Sequence, residues 1–296
     1  MKKNIFITGA NSFVGTRLIN FLKKKNTYNI RGIDLLDTKN KKNIFKLDLR
    51  SKDLYKFIKK NSTIVHLAAV SRNSDFDKNI SNSFDINVAG TINLLNAANK
   101  QKAERFIFAS SEWVYPESDN TNFNEKKVYE VNEIKSKYGI SKAIGEKLIV
   151  ALSEAKYNIL LRFGIIYGPR KLNFSAVESL FLSVKNKQKF EIGSYKTARR
   201  FIFIDDIVTA IEKSIFLKKT ITLNITGNKL ISLKSIINTS KKILKKYPTI
   251  IEANSSNISI RNASNLNAKK ILKWYPLYSL KKGLKSINNY FNELDG

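Results

Sequence analysis

The sequence contains no cysteine, one histidine and only four prolines in 296 residues. Without cysteine the chain can form neither disulfides nor thiolate metal sites, and a cysteine nucleophile is excluded. A zinc site would have to be built from carboxylates around a single histidine, which is not the usual donor set. No apolar run approaches the roughly 20 residues that cross a bilayer, and Lys2 and Lys3 lead directly into the strand-like Ile5–Ile7. We therefore expect no signal peptide, no membrane span, no metal and a cytoplasmic protein.

Acidic residues are scarce: 24 Asp and Glu face 53 Lys and Arg, which gives a formal net charge of +29. Such a charge can attract nucleic acid or anionic membranes without specificity. The basic residues are mostly lysines spread along the whole chain, without the interleaved aromatic platforms of nucleic-acid-binding surfaces. We interpret the excess as a compositional bias that favours anionic substrates, and we expect neither a nucleic-acid nor a membrane partner.

The pattern of apolar residues indicates an α/β fold. Apolar residues make up 43% of the chain, enough for a sizeable core. Short apolar runs alternate with helix-like segments in the first half, as in βαβ units with a parallel sheet. We predict strands at Ile5–Ile7, Ile30–Ile33, Phe45–Leu47, Thr63–Leu67, Arg105–Ala109, Ile159–Leu161 and Phe201–Ile204, and helices at Phe13–Lys24, Leu54–Lys59, Ser83–Asn99, Ser141–Ala155 and Leu280–Phe291.

These elements predict a doubly wound parallel sheet of the Rossmann type with a smaller mixed α/β domain on the substrate side. The rhythm of strands and helices breaks near Tyr167. We therefore assign residues 1–166 to a nucleotide-binding domain, with return segments near 200–227. Residues 167–296 form the smaller, interleaved substrate-binding domain.

A glycine-containing loop lies where the first predicted strand turns into a helix. There, free N–H groups and the helix dipole bind a pyrophosphate, and glycine lets the phosphate approach. Ser12 departs from the usual pattern because it occupies the middle of three positions where glycine is common. An ordinary tight turn is the alternative. The residues predicted to contact the cofactor are Gly9, Asn11, Ser12, Phe13, Val14 and Gly15.

Asp34 follows the second predicted strand at about the distance from the loop at which an acidic side chain meets the adenosine ribose. A carboxylate there repels a 2′-phosphate, so Asp34 favours NAD and opposes an NADPH-dependent ketoreductase. The alternative is an aspartate that caps a turn.

Tyr138 and Lys142 are four residues apart, which places them on one helix face, one turn from each other. A nearby cation favours a phenolate, so we expect Lys142 to lower the pKa of Tyr138 toward the working range. Tyr138 can then act as a base while NAD takes a hydride. Ser111 ends the fifth predicted strand at the sheet edge where ligands bind, and its hydroxyl can hydrogen-bond the reacting oxygen. A serine that simply forms a turn is the alternative.

Taken together, these motifs resemble the NAD-dependent epimerase/dehydratase family, the extended short-chain dehydrogenases that modify nucleotide sugars. The resemblance runs nearly end to end and rests on the order and spacing of several segments. Beyond the glycine loop, these segments are His66–Ala69, Asn87–Thr91, Ser110–Pro116, Tyr138–Lys142, Tyr167–Arg170, Arg199–Asp206 and Asn267–Trp274.

The resemblance implies a role for each matching residue. Ser111, Tyr138 and Lys142 match the catalytic triad, and Tyr138 and Lys142 also contact the cofactor. Asn87 matches a residue that helps to hold the active-site helix beside the cofactor, and Arg199 and Arg261 match positions that grip a diphosphate. His66 matches a structural position, not the base. The further positions implied to line the cofactor site are Asp48, Leu49, Leu67, Ala68 and Ala69.

The residues after Ser111 bear on the reaction. Family dehydratases carry two acidic residues at this place, whereas this chain has Glu112 followed by Trp113. An indole cannot transfer protons, which disfavours dehydration and, by the same reasoning, decarboxylation. The GDP-sugar epimerases that use a cysteine at the Trp113 position are excluded because the chain has none. We favour a 4-epimerase-like reaction on a nucleotide-linked sugar, with Glu112 and Trp113 beside the substrate.

Two other hypotheses remain open. A net NAD-dependent sugar dehydrogenase or ketoreductase would use the same residues, and a non-enzymatic, RNA-associated member of the fold would account for the charge. Ile165 and Arg200 stand where the family often has Asn and Asp, which weakens the nucleotide-sugar assignment more than the NAD chemistry.

Family members often dimerise through two helices, and we expect a homodimer through Ser83–Asn99 and Ser141–Ala155.

Overall fold

The computed structural model describes residues 2–36, 42–116, 122–126 and 131–295. The elements up to the end of the main run of βαβ units are β1 (Lys3–Thr8), α1 (Phe13–Lys24), β2 (Tyr28–Asp34), β3 (Ile44–Lys46), β4 (Thr63–His66), α2 (Asn73–Lys78), α3 (Ile80–Phe84), α4 (Gly90–Lys100), β5 (Arg105–Ser111), β6 (Asn122–Phe123), α5 (Lys137–Leu152) and β7 (Tyr157–Phe163).

The remaining elements are shorter on average. They are β8 (Ile166–Tyr167), α6 (Ala176–Asn186), β9 (Lys189–Ile192), β10 (Ala198–Arg199), β11 (Ile202–Phe203), α7 (Ile204–Ser214), β12 (Ile221–Ile225), β13 (Ile231–Ser232), α8 (Leu233–Leu244), β14 (Thr249–Glu252), β15 (Ile260–Ala263), α9 (Leu266–Leu272) and α10 (Leu280–Asp295).

A seven-stranded sheet has the order β12-β7-β5-β4-β1-β2-β3, and all of its strands except β12 come from the first part of the chain. From β7 to β3 every neighbouring pair is parallel. Successive residues of its inner strands are buried regardless of which face they point to, as Ile5, Phe6 and Ile7 show with at most 1% exposure. Burial on both faces is characteristic of parallel sheets covered by helices. The predicted α/β class with a doubly wound parallel sheet is confirmed.

The chain divides into two compact units. Unit 1 comprises residues 1–116, 125–163 and 208–223, and unit 2 comprises residues 117–124, 164–207 and 224–296. Unit 2 contains a mixed sheet with the order β13-β10-β15-β6 and two further strand pairs, β11 with β8 and β14 with β9. Within the described ranges, no helix is long and apolar enough to cross a lipid bilayer.

Several predicted elements differ from the structure in their bounds, and three of them differ in type or continuity. The strand predicted at Phe201–Ile204 is shorter, because Ile204 begins α7, whose first turn carries Asp205 and Asp206. Carboxylates stabilise a helix N-terminus, so the apolar run is divided between a strand and a helix. The predicted helix at Leu54–Lys59 is a single 3-10 turn over Leu54–Phe57. The predicted Ser83–Asn99 helix is interrupted by a π-helical segment, Asp85–Ala89.

Candidate active site

The glycine loop connects β1 to α1 and needs glycine at its first and last positions. Gly9 has a φ of +68°, and a Cβ there would lie 2.8 Å from the Ala68 backbone nitrogen. A Cβ on Gly15 would lie 2.1 Å from the Gly9 carbonyl oxygen, so α1 could not start this close to the loop with any other residue. The two glycines therefore allow the N-terminus of α1 to pack against the ends of β1 and β4.

Ser12, the departure from the usual glycine pattern, is the N-cap of α1. Its hydroxyl accepts a hydrogen bond from the Gly15 backbone N–H at 3.0 Å, and its φ of −63° is ordinary for an L-residue. The middle position of this loop therefore has no need for glycine. A serine stabilises the helix start instead, as N-cap side chains do.

The Asp34 carboxylate is fixed at the end of β2 by two backbone N–H groups. Its Oδ2 accepts from Asn11 at 2.8 Å and its Oδ1 accepts from Leu36 at 2.9 Å. One of these donors belongs to the glycine loop, so the loop and the acidic residue form one preorganised unit. This contact supports the combined interpretation of the two sequence features over two unrelated turns.

A cleft in unit 1 lies against this loop. Gly9 leaves space in the cleft because it has no Cβ, Asp34 contributes a carboxylate, and most of the other lining residues are apolar. This combination fits a dinucleotide. Of the predicted cofactor residues, Asn11, Phe13, Val14, Gly15, Asn87, Tyr138 and Lys142 do not line it. It is lined by the predicted Gly9, Ser12, Asp34, Asp48, Leu49, Leu67, Ala68 and Ala69, together with Ile33, Leu35, Leu36, Leu47, Val70 and Ile86.

The first turn of α5 brings Tyr138 to the end of β5. A Cβ on Gly139 would lie 2.3 Å from the Trp113 carbonyl oxygen, so only glycine lets the helix approach the chain that follows Ser111. Ser136 caps the helix by accepting the Gly139 N–H at 3.1 Å. The Ser111 hydroxyl accepts the Trp113 N–H at 3.2 Å and lies close enough to the Tyr138 phenol to influence its pKa. The predicted serine and tyrosine are thus brought close together.

Lys142 lies one turn further along α5 and is 3% exposed. Its Nζ is 4.7 Å from the centroid of the Phe108 ring and 5.8 Å from that of the Tyr138 ring. A Cβ on Gly145 would lie 2.7 Å from the Phe108 ring, which shows how closely α5 packs on β5 at this level. The predicted trio of Ser111, Tyr138 and Lys142 therefore forms one cluster within unit 1.

The electrostatics of this cluster differ from the sequence-based expectation. Burial raises the pKa of Tyr138 to about 12, although the hydrogen bond from Ser111 acts to lower it. Burial also lowers the pKa of Lys142 to about 7, while Glu146 acts to raise it. The expected lowering of the tyrosine pKa is therefore wrong for the protein alone, because burial of the phenol has the largest effect and Lys142 is not among the groups that shift this pKa. A further positive charge is needed to bring Tyr138 into a useful range.

Asn87 lies in the π-helical segment before α4. Its side-chain Oδ1 accepts the Val70 N–H at 2.8 Å, and its Nδ2 donates to the Val70 carbonyl oxygen and to Ser141 Oγ, each at 2.9 Å. Ser141 in turn donates to the Tyr138 carbonyl oxygen at 2.8 Å. Asn87 thus joins the cleft wall at Val70 to helix α5, which fits the helix-holding role that the resemblance implied; contact with a cofactor stays a prediction.

His66 belongs to a directed chain of buried hydrogen bonds. Thr91 Oγ1 donates to the Asn87 carbonyl oxygen at 2.6 Å, so it accepts from His66 Nε2 at 3.0 Å. The other ring nitrogen, Nδ1, accepts from Thr8 Oγ1 at 2.8 Å, and Thr8 Oγ1 accepts from the Ala68 N–H at 3.2 Å. Burial and a nearby lysine lower the pKa of this ring to about 3. A neutral imidazole with both nitrogens occupied has a structural role, as expected.

Glu112 and Trp113 follow Ser111 in a 3-10 turn, Glu112–Val114. Glu112 is fully buried and Trp113 is partly exposed. An indole therefore stands where a second acid would be needed to move protons. Substrate contact by either residue stays a prediction.

The two arginines predicted to grip a diphosphate lie in unit 2, on adjacent parallel strands. Arg199 on β10 is in direct register with Arg261 on β15, and both are buried. The Arg199 guanidinium donates to the Ala198 carbonyl oxygen at 2.8 Å and to the Ser259 hydroxyl at 2.5 Å. The structure brings the two cations together, and their substrate contacts remain a prediction.

Arg200 directly follows the end of β10. Its Nε donates to Asn262 Oδ1 at 2.5 Å, and its Nη1 donates to the Asn228 carbonyl oxygen at 3.0 Å. Arg200 therefore joins β15 to the loop after β12. Arg200, which stands where the family often has an aspartate, therefore forms structural hydrogen bonds.

Sequence reasoning missed a buried network behind Lys142. It consists of Ser110, Glu146, Arg162 and Tyr115. The spacing of Glu146, four residues after Lys142 on the same helix, was a signal that could have been used. Arg162 and Tyr115 carried no such signal because they come from separate segments. Among the described residues, no group of three or more His, Cys, Asp or Glu side chains could hold a metal ion.

Comparison with known proteins agrees with this geometry. The chain is 29% identical over 303 residues to a putative UDP-glucose 4-epimerase of Methanocaldococcus jannaschii, a match that covers 97% of each protein. It is similar to the structure of UDP-glucuronic acid 4-epimerase from Bacillus cereus in complex with UDP-glucuronic acid and NAD, with a TM-score of 0.85, 25% identity and coverage of 98% of this chain and 99% of that one.

A third similarity concerns the fold alone. The UDP-glucose 4-epimerase of Thermotoga maritima, solved with UDP-glucose, has a TM-score of 0.87 at 20% identity and covers 99% of this chain and 100% of its own. Residues 5–222 match the model of the NAD dependent epimerase/dehydratase family. The chain therefore belongs to this family of NAD-dependent enzymes that modify nucleotide sugars.

Proposed function

We propose that the protein is an NAD-dependent 4-epimerase of a nucleotide-linked sugar. The observation that carries the proposal is the proximity of Ser111 to Tyr138, one helical turn from the buried Lys142, in the same unit as a cleft suited to a dinucleotide. The similarity to 4-epimerases of UDP-glucose and UDP-glucuronic acid supports the choice of reaction.

The cofactor would be held by the loop and cleft residues of unit 1. Gly9 would leave room for the pyrophosphate, and the Asp34 carboxylate, fixed by the Asn11 N–H, would accept hydrogen bonds from ribose hydroxyls, which favours NAD over NADP. When bound, NAD supplies a hydride acceptor and, in its oxidised form, a positive charge. That charge is of the kind needed to offset the burial that raises the pKa of Tyr138.

Three side chains of unit 1 have separate tasks in the proposed reaction. Tyr138 takes the proton from the sugar hydroxyl that is oxidised, and it returns a proton when the ketone is reduced on the other face. Ser111 donates a hydrogen bond to the reacting oxygen, and Lys142, while protonated, favours the phenolate form of Tyr138. Epimerisation requires no other acid, which agrees with an indole at Trp113 where dehydratases need a carboxyl group.

Substrate recognition is assigned to Arg199 and Arg261 of unit 2. Two buried guanidinium groups in register on neighbouring strands are of the kind that binds a diphosphate. The diphosphate of a nucleotide sugar is the anion that the proposed reaction brings.

A homodimer is the proposed assembly. Val150 and Leu152 on α5 are 70% and 42% exposed and lie within the Ser141–Ala155 segment expected to form the dimer interface. Sedimentation analysis of the purified protein and of Val150→Asp tests this: the dimer should dissociate in the variant, and a monomeric wild type at micromolar concentration would contradict it.

The function is tested by releasing nucleotide from the purified protein and then supplying UDP-, GDP-, CDP- and dTDP-sugars, with Tyr138→Phe as the control. Bound NAD and interconversion of two sugars without net NADH support the epimerase. Net NADH formation would indicate a dehydrogenase instead. No nucleotide and no turnover, with salt-sensitive RNA binding, would contradict an enzymatic role.

A further inference from the structure

A buried chain of polar side chains connects three elements of unit 1 directly behind the catalytic cluster. The Glu146 carboxylate on α5 accepts from Arg162 Nε at 2.9 Å and from Arg162 Nη2 at 2.7 Å, and it also accepts from the Ser110 hydroxyl. Arg162 Nη1 donates to the Tyr115 hydroxyl at 2.9 Å. The network thus joins β5, α5 and β7 and reaches the chain after β5.

The position of Glu146 relates this network to the chemistry. Glu146 is one turn after Lys142, so the carboxylate and the ammonium group lie on the same face of α5, toward the sheet. Its partner Ser110 directly precedes Ser111 on β5. The network therefore contacts both ends of the cluster: the strand that presents the serine and the helix that presents the lysine.

The groups that face Lys142 come from three elements. On α5 these are Tyr138 and Glu146, on β5 the Phe108 ring, and on β4 the neutral His66. Glu146 is the anionic one among the groups that influence Lys142, and burial works against the lysine's charge. Arg162, on β7, partly neutralises the carboxylate and holds it in place.

Stability alone does not account for such a network. A buried ion pair recovers little more than the cost of desolvating its two charges, and apolar residues of similar size usually serve a core as well. An ion pair next to a buried lysine, however, creates an electrostatic environment that apolar residues cannot provide. The arrangement is most useful where the charge of that lysine matters.

We propose that Glu146 is a positioning residue that raises the charged fraction of Lys142 and anchors Ser110 so that Ser111 faces Tyr138. This inference rests on the proposed function for its catalytic meaning. The effect on the charge of Lys142 exists in the folded protein without substrate and can be measured separately.

The first experiment measures the free energy of unfolding of the full chain against pH for wild type and for Glu146→Gln, which removes the charge and keeps the shape. Because burial places the pKa of Lys142 in the folded protein below that of an unfolded chain, the folded state loses stability as the pH falls from about 10.5 to about 7. Without Glu146 this loss should continue about one pH unit further down. A pH-independent difference between the two proteins would overturn the proposal.

The matched control is Arg162→Gln, which breaks the same ion pair but keeps the carboxylate. In this variant the loss of stability should end at a higher pH than in wild type, because the carboxylate is then less neutralised. A purely structural network would destabilise both variants without moving this pH in either. If Glu146→Gln does not fold, Arg162→Gln alone decides: an unmoved pH contradicts the proposal.

The second experiment follows kcat against pH with the substrate found for the enzyme. Glu146→Gln should lose activity on the alkaline side about one pH unit earlier than wild type, because Lys142 loses its proton sooner. Glu146→Asp should restore the wild-type profile in part. If wild type shows no turnover, the proposed function fails while the stability measurement still tests Glu146. If turnover is normal and the profile of Glu146→Gln is unmoved, the role of Glu146 is refuted.

Discussion

The two units present their chemistry-bearing residues in different ways. In unit 1, Asp34 and Ser111 stand at the ends of seven-residue parallel strands, and Tyr138 and Lys142 share one face of a sixteen-residue helix. In unit 2, Arg199 and Arg261 meet across strands of two and four residues. The ends and faces of long regular elements can be predicted from the sequence, whereas strands this short have too few residues for a detectable period of apolar residues. The chemistry of unit 1 is therefore open to derivation from physics, and that of unit 2 depended on resemblance.

Tyr138→Phe tests the unit 1 side most strongly. Removing the hydroxyl that takes the proton should lower kcat about 10²- to 10⁴-fold while leaving the thermal unfolding midpoint near that of wild type. The matched control is Tyr157→Phe at the start of β7, the opposite end of the sheet, which should keep full activity. Sugar interconversion followed by chromatography measures both. Comparable activity of the two variants would remove Tyr138 from the reaction.

The comparison of glycines contrasts the two units directly. Gly15→Ala in unit 1 places a Cβ 2.1 Å from a carbonyl oxygen, so it should cost about 1–3 kcal/mol of unfolding free energy and weaken NAD binding. Gly193→Ala in unit 2 meets no atom within 4 Å and should change stability by no more than about 0.5 kcal/mol. Denaturant unfolding and NAD titration measure the pair. Equal effects would mean that the loop does not depend on the close approach described here.

How much of the site could be predicted from the sequence depends on how far apart the contacting residues lie along the chain. The glycine loop, Tyr138 and Lys142 each occupy a short window in which helix or turn geometry fixes the neighbours. The capping role of Ser12 was missed because glycine was expected there, although serine is a common N-cap. The Ser110, Glu146 and Arg162 contacts join residues 16 and 36 positions apart, which only the packing of α5 against the sheet brings together.

The charge balance of the cluster was predicted with the wrong sign for a different reason. The spacing of Tyr138 and Lys142 indicates that a cation is near the phenol, but it carries no information on how deeply both groups are buried. In the structure, desolvation dominates both pKa values. A sequence pattern thus identified the partners, and the magnitude of burial decided the outcome.

Arg261→Gln asks whether unit 2 carries the recognition assigned to it. If Arg261 binds the diphosphate equally in the ground and transition states, the variant should raise KM about 10- to 100-fold with kcat nearly unchanged. Arg200→Gln is the control, because the Arg200 guanidinium is held by Asn262 and by backbone carbonyls. That variant should lower stability and leave KM in place. Steady-state kinetics decide between them, and a KM effect at Arg200 alone would reverse the assignment.

The prediction with the smallest expected effect at neutral pH concerns how the stability of each unit changes with acid. His66 has a pKa of about 3 in the folded protein and about 6.5 when unfolded, so its neutral form stabilises unit 1 fully above pH 6.5 and progressively less as the pH falls. Between roughly pH 6 and 4 this contribution should decline by about 1.4 kcal/mol per pH unit. In unit 2, burial raises the pKa of Asp206, which has the opposite sign: its contribution declines as the pH rises above 3.8.

His66→Gln separates these contributions, since the amide can accept from Thr8 or donate to Thr91 but cannot take up a proton in this range. The unfolding free energy of wild type minus that of the variant should therefore shrink as the pH falls from 6 to 4, even though the variant is less stable at neutral pH. Asp206→Asn, the matched change in unit 2, leaves His66 intact. The loss of stability between pH 6 and 4 that comes from His66 should therefore persist in that variant. A difference that stays constant with pH would mean that His66 titrates in the folded protein as it does in an unfolded chain, and the neutral hydrogen-bonded chain through Thr8 and Thr91 would then have to be abandoned.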